Sequence, residues 1–397
     1  MAGRSDFANR IAVHCLSKHG RKLMSQPSPQ PRSAVDALPG YVAGRRAESA
    51  LTEPLASNES HFLPAPSVLA AIAGAAVRVN RYPDMASSTL RAKLAERYGV
   101  DQTEVAVGPG SVGVLSQLIS AVCDPGDEVI FAWRSFEAYP ILCQLAGATP
   151  VPVPLTDTEA HDLAAMTAAI TEATKVILLC TPNNPTGISI SHDDLRAFLD
   201  TVPSHILVVI DEAYREYSPD TAPDSLSLYR DYPNLCLLRT FSKAYGLAGL
   251  RVGYAIAGAH LAEGLRRTQV PFSVSGAAEA AAVAALDSTE EVSRQAAEVA
   301  RERDRVIAAA RELGWTVPDS TANFVWLRLD DPRREELMAA FDKTDILVRG
   351  YAGDGIRVTV AGPIANDRVL WVLNDRRDLA EPTQPEDAES PAEPAEA

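Results

Sequence analysis

The sequence has little cysteine and no cysteine pair. Its five cysteines, Cys15, Cys123, Cys143, Cys180 and Cys236, are scattered over 397 residues without a CxxC spacing. That argues against a disulfide framework and suits reduced thiols in a cytoplasm. Seven histidines show neither HxxxH nor HExxH, so no metal site is expected. No apolar run approaches the ~18 residues of a membrane span. Positive charge is also short: 37 Lys and Arg stand against 52 Asp and Glu, a net charge of -15. Nucleic-acid binding is dominated by basic contacts to phosphate, so that class is disfavoured. Small anionic substrates are not, because a few local arginines govern a site once bulk charge is screened over roughly 8 Å.

What is present is a large apolar content, 46% of residues, with 22% charged. That fills a sizeable core and two domains. Residues 1–35 begin with a basic stretch of little apolar pattern. They read as a disordered extension, or as lying mostly before a natural start at Met24. Residues 379–397, rich in Pro, Ala and Glu, read as a disordered acidic tail.

Between these ends, short apolar runs alternate with helical patterns. Strands are expected at 105–107, 128–133, 149–155, 175–180, 206–210, 235–239 and 252–257. Several are near-continuous Val, Ile and Leu, the pattern of strands buried on both faces of a mainly parallel sheet. Leu90, Leu94 and Tyr98 recur every four residues, and Gly99 supplies a helix stop. The expected fold is a three-layer α/β/α domain around a mainly parallel seven-stranded sheet. From Gly276 the texture changes. Ser288–Glu291 reads as a capping box opening a long helix that ends near Gly314. Asn323–Leu329 alternates like a half-exposed strand. A helix around Glu335–Phe341, a strand over Gly355–Val360 and a final helix from about Asn366 complete a smaller α+β domain. The expected division is an N-terminal arm at 36–60, a large domain at 61–275 and the smaller one at 276–378.

The strand exits carry the chemistry. GPGSVG (108–113) follows the first strand and opens a helix. As a dinucleotide fingerprint it fails, because Asp127 and Glu128 come too early and begin a strand. As a helix start with free N–H groups it suits an anion such as a phosphate. TPNNPTG (181–187) taken alone reads as a turn. DEAYREY (211–217) puts Asp211 at the buried end of a strand, where a lone carboxylate needs a partner. RTFSKAYGLAGLRVGY (239–254) puts Lys243 on a glycine-bearing loop with Arg251 eight residues on. Attack on an aldehyde needs a neutral amine, and a free lysine, at a pKa of about 10.4, is almost wholly protonated at neutral pH. Burial and a neighbouring cation both lower that value. Amides, a carboxylate, a phenol, a lysine and an arginine at one sheet edge fit a phosphorylated pyridine aldehyde.

With NNPTG, DEAY, SKAxxLAGLRxGY and IRVTV in this order, the chain resembles the fold-type-I pyridoxal-phosphate aminotransferases of class I/II over roughly residues 51–376. Through ASNES (56–60) and NRYPD (80–84) it is similar to the branch of histidinol-phosphate and aromatic aminotransferases. AWRSFEAYP (132–140) and GSVG are nearest to the actinobacterial aromatic (phenylalanine) enzymes. The resemblance implies that Lys243 binds the cofactor covalently and carries the proton between Cα and C4′. Asp211 pairs with the pyridine nitrogen, Asn184 and Tyr214 bond the ring hydroxyl, and Phe136 stacks on the ring. Ser111, the Val112 amide, Thr240, Ser242 and Arg251 hold the phosphate. Tyr82 reaches that phosphate from the other subunit of a homodimer. Arg357 takes the substrate carboxylate, Arg349 is a second cation beside it, and Asn58 lines the substrate site.

The implied reaction moves the amino group of phenylalanine, tyrosine or tryptophan to 2-oxoglutarate. The alternative is histidinol-phosphate transamination, for which Arg349 would serve. A decarboxylase of an amino-acid phosphate and a cofactor-sensing regulator are further readings. Two segments depart from the family pattern: Ser60–Phe62 near the substrate entrance, and AGPIANDR (361–368) after IRVTV.

Overall fold

The computed structural model describes residues 28–36, 38, 40, 49, 51–219 and 224–380. Most of the expected N-terminal extension and acidic tail therefore lies outside the described residues. Two compact units are present, 1–38 and 39–397. Of the first, the described part holds one helical turn, Ser33–Asp36.

The second unit contains twelve described strands: β1 (Glu53–Pro54), β2 (Val105–Gly108), β3 (Glu128–Trp133), β4 (Thr149–Pro154), β5 (Thr174–Cys180), β6 (Leu207–Asp211), β7 (Leu235–Thr240), β8 (Gly253–Ile256), β9 (Phe324–Arg328), β10 (Ile346–Leu347), β11 (Arg349–Tyr351) and β12 (Gly355–Thr359). Seven of them form one sheet in the order β2-β8-β7-β6-β5-β3-β4. Only β8 runs antiparallel to its neighbours. The Val/Ile/Leu runs alternate between two cores. Ile130, Ile177, Val208 and Leu237 enter one; Val129, Val176, Val209 and Leu238 enter the other. Helices Gly110–Val122 and Ala138–Ala146 cover the second core with Leu115, Leu118 and Leu142. Helix His192–Thr201 covers the first with Leu195, Phe198 and Leu199. Each such aliphatic side chain taken out of water contributes roughly 1.5–3 kcal/mol before chain entropy is counted. A layer of this kind on each face is the expected three-layer architecture.

Strands β11, β12 and β9 form a separate antiparallel sheet with β12 in the middle. The expected half-exposed strand is a correction: in β9, Phe324 to Leu327 are all buried and only Arg328 is exposed. One face joins the main apolar core through Val325 and Leu327, and the other carries Trp326 against Tyr351.

The expected capping box is also corrected. The long helix, Thr289–Glu312, begins where expected, but Ser288 makes no side-chain cap. Helix Gly276–Asp287 ends one residue earlier, so Ser288 serves both helices, and its hydroxyl bonds backwards to Ala284 O at 3.1 Å. A capping box does form at Asp101–Glu104. The last helix starts at Pro363, not Asn366, because proline's fixed φ suits a first helical turn. Finally, β1 pairs with β10 in parallel, and the Thr359 amide donates to Leu55 O at 2.9 Å. Residues 53–58 are thereby held by the two-stranded β1–β10 pair on one side and by β12 on the other.

Candidate active site

Every residue expected at the site except Tyr82 lines one cavity, between the exits of the seven-stranded sheet and the three-stranded sheet. Its floor comes from strand ends. Asp211 closes β6 and is 5% exposed. Oδ2 accepts a hydrogen bond from Tyr139 Oη at 2.8 Å. Oδ1 is buried with no partner among the described residues. Burial pushes the Asp211 carboxyl up to about 6, against the pull of the Tyr139 hydroxyl. A buried, half-satisfied carboxylate is costly. The next residue, Glu212, is fully paired with Arg239 Nε at 2.8 Å. That buried pair ties the end of β6 to the end of β7, one residue before Thr240.

Lys243 follows β7. Its Nζ donates to Ser57 O at 2.9 Å and lies 5.8 Å from the Tyr214 ring centroid. Burial, then the Arg357 charge, lowers the Lys243 amine to about 7. A sizeable neutral fraction near neutral pH follows, which an exposed lysine would lack.

Beside it is an anion cradle. Helix Gly110–Val122 begins with its N-terminus at the cavity, and a helix start presents free N–H groups and a partial positive charge. Thr240 Oγ1 and Ser242 Oγ are 3.0 Å apart, and Arg251 Nη1 donates to Ser242 Oγ at 3.2 Å and to Ala248 O at 2.9 Å. Arg251 has φ 55°, a left-handed backbone that costs an ordinary residue about 1–3 kcal/mol. Gly110, with φ 78°, leaves the space the guanidinium fills; a Cβ there would collide with Arg251 Nη2.

The wall comes from the three-stranded sheet. Arg357 is 6% exposed. It donates through Nη2 to Ala56 O at 2.7 Å, and through Nη1 to Asn184 Oδ1 in a short contact. Its Nε has no partner among the described residues. Asn58, at φ 53°, donates from Nδ2 to Tyr214 Oη at 3.0 Å and from its backbone N–H to Thr359 Oγ1 at 2.9 Å. Arg349 Nη2 donates to Glu137 Oε2 at 2.7 Å.

A buried amine biased toward neutrality, an orphaned carboxylate oxygen opposite, an anion cradle and a buried guanidinium together can bind a phosphorylated carbonyl compound and an amino acid. The comparisons with known proteins agree in kind. Residues 53–370 match the model of the aminotransferases of class I and II. The chain belongs to that family.

Two relatives of this aminotransferase are each 51% identical to it and named aromatic amino acid aminotransferase. The one from Streptomyces avermitilis aligns over 88% of this chain and 98% of its own length, and so does the one from Thermobifida fusca. Among solved structures, histidinol-phosphate aminotransferase from Sinorhizobium meliloti, in complex with pyridoxal-5'-phosphate, is 30% identical with a TM-score of 0.81. The match covers 89% of this chain and 99% of that one. An aspartate aminotransferase mutant from Thermus thermophilus is 25% identical with a TM-score of 0.72, over 81% and 90% of the two chains.

Three features of this aminotransferase were not expected from its sequence. Tyr139 sits in the first turn of helix Ala138–Ala146; its N–H donates to the O of Phe136, just before the helix, at 3.0 Å, and the two rings meet edge-on at 5.6 Å. Glu137 and Tyr351 line the cavity as well, and no spacing announces them, because the partner of Glu137 is 212 residues away. Tyr82 lies outside the cavity, 83% exposed and stacked on Phe272 at 4.5 Å. The two departures from the family pattern meet each other: a Cβ on Gly362 would stand 3.7 Å from His61 Cδ2. Neither His61 nor Gly362 lines the cavity.

Proposed function

We propose that this aminotransferase moves the amino group of phenylalanine, tyrosine or tryptophan to 2-oxoglutarate, giving the aromatic 2-oxo acid and L-glutamate, with pyridoxal 5'-phosphate as cofactor. The observation that carries the cofactor assignment is Asp211 Oδ1, a buried acceptor without a partner among the described residues. A protonated ring nitrogen would satisfy it. When bound, the cofactor supplies an electron sink for the substrate Cα–H bond.

This chain's own residues do the rest. Asp211 keeps the ring nitrogen charged. Asn184 and Tyr214 bond the ring hydroxyl, and Phe136 covers the ring face. Ser111, the Val112 amide, Thr240, Ser242 and Arg251 hold the phosphate. Arg357 grips the substrate carboxylate through the paired donors that a guanidinium offers, orienting the Cα–H bond. Lys243 takes and returns the proton at Cα as a positioned general base and acid. Asn58 fixes the edge of the substrate site through Tyr214.

The aromatic specificity is supported by the names of the relatives at 51% identity and by the aromatic lining, Phe136 and Tyr351. We further assign a homodimer in which Tyr82 reaches the phosphate of the partner subunit. In its support, Val79, Tyr82, Met85 and Val270 are exposed apolar side chains in a single chain. Four buried free thiols favour a cytoplasmic enzyme.

The test is a half-reaction on the cofactor-loaded protein, followed by the cofactor's visible absorbance. Phenylalanine should bleach the band and histidinol phosphate should leave it. Bleaching by histidinol phosphate alone would move the enzyme to that substrate. Failure to hold the cofactor at all would remove the assignment.

A further inference from the structure

Arg349 and Arg357 are directly opposite each other in the register of β11 and β12. Like charges placed so in an antiparallel pair repel. Both line the cavity, and both guanidinium carbons sit over the Tyr351 ring, at 5.5 and 5.7 Å. Their compensation is unequal. Among the described residues Arg357 donates only to neutral oxygens, Asn184 Oδ1 and Ala56 O. Arg349 is paired with a carboxylate, Glu137 Oε2, at 2.7 Å. The Arg349 side chain is 11% exposed and that of Glu137 30%.

Glu137 is also not where local structure would spend it. It stands at the N-cap position of helix Ala138–Ala146 and makes no side-chain cap there. Its carboxylate instead crosses from the exit of β3 to the three-stranded sheet. Among these three groups, two guanidiniums and one carboxylate sum to a single positive charge. A carboxylate carries one negative charge. A phosphate monoester carries nearly two above its second pKa, about 6.

We propose that Glu137 sets the anion charge this cavity accepts, selecting a substrate that ends in a carboxylate over one that ends in a phosphate. This rests on the transaminase reading above and deepens it. Arg349 is then no free phosphate ligand. It is held by Glu137, and one net charge is left for the substrate carboxylate. Removing the Glu137 charge while keeping its shape would make this end of the cavity one unit more positive, a change that favours a dianion.

The experiment uses two unreactive ligands that share a ring and differ in the anion: 3-phenylpropionate and 2-phenylethyl phosphate. Their dissociation constants are measured by calorimetry on the cofactor-loaded protein at pH 8. Glu137→Gln should shift the ratio of the two constants toward the phosphate by about tenfold, the scale of one close charge pair. Adding Arg349→Gln removes one positive charge, restores the wild-type sum and should return the ratio to that of the wild type. An unchanged ratio in Glu137→Gln, with melting temperature and cofactor band intact, would overturn the proposal. So would a shift that Arg349→Gln does not reverse, since that points to shape rather than charge. Phenylalanine turnover by the wild type is scored separately. Its absence overturns the proposed function, whereas an unchanged ratio with turnover present overturns the role of Glu137 alone.

Discussion

Asp211, Thr240 and Lys243 leave adjacent strand ends of the seven-stranded sheet, each within a few residues of a buried apolar run. Arg357 and Arg349 stand on a three-stranded sheet, and Arg357 depends on a carbonyl 301 positions earlier in the chain. The floor is thus fixed by local sequence and one sheet register. The wall is fixed by contacts between distant segments. A group on the floor works because burial shifts its proton equilibrium. A group on the wall works because hydrogen bonds aim its charge. Substitutions on the floor should therefore abolish chemistry, and those on the wall should change which substrate is held and how well.

The largest effect is expected from Lys243→Ala. No neighbouring amine replaces it, so turnover of phenylalanine should fall by about 10⁴-fold or more, as when a positioned general base is lost. Retained turnover within tenfold would remove Lys243 from the chemistry. Asp211→Asn comes next. The amide cannot hold a charge at the ring nitrogen, and a loss in kcat of about 10²–10³ is expected, the scale of one preorganised electrostatic contact. Cofactor titration of the same variant should show weaker binding. Arg357→Lys tests the wall. An ammonium cannot make the paired contact, so KM for phenylalanine should rise and kcat/KM should fall by about 10²-fold, the cost of misplacing a substrate by an ångström. A change confined to kcat would blur the line between wall and floor.

Smaller still is Thr359→Val. It strips the Asn58 backbone N–H and side-chain Oδ1 of their hydroxyl partner. Unfolding by urea should reveal a loss of about 1–3 kcal/mol, the penalty of a buried group left unpaired. The cofactor band should not move. The last test is pH. In the cofactor-free protein, burial and then Arg357 put folded Lys243 at about 7, below the ordinary lysine value. Between those two values the unfolded chain binds a proton that the folded chain has released, so stability should rise with pH across this window. It should be lost as pH falls through about 7. Thermal melts of the cofactor-free wild type and Lys243→Met should differ in slope there; parallel curves would mean that the amine is not desolvated.

The same contrast explains what could be read in the sequence. The strand runs and their exits were legible, because apolar runs of this kind report burial on both faces and the exits follow at once. Asp211, Asn184, Lys243 and Arg251 could be placed at one edge on that ground. Glu137, Tyr351 and the covered face of β9 could not. Each owes its surroundings to a segment far along the chain, and no periodicity records that. Ser288 failed for a different reason. Its motif fits a cap, but the preceding helix runs up to it and takes its hydroxyl.

The clamp of residues 53–58 onto the last sheet bears on how the molecule is made. Ala56 and Asn58 are bonded by Arg357 and Thr359, 301 residues later. During synthesis the seven-stranded sheet emerges complete while these early residues still lack their partners. The cavity wall can close only once residues 357–359 have left the ribosome. Pairings of such separation are slow to form, because loop closure must precede the contact. A polypeptide truncated before β12 would keep the seven-stranded sheet and its strand exits but lack Arg357 and Thr359, the partners of Ala56 and Asn58.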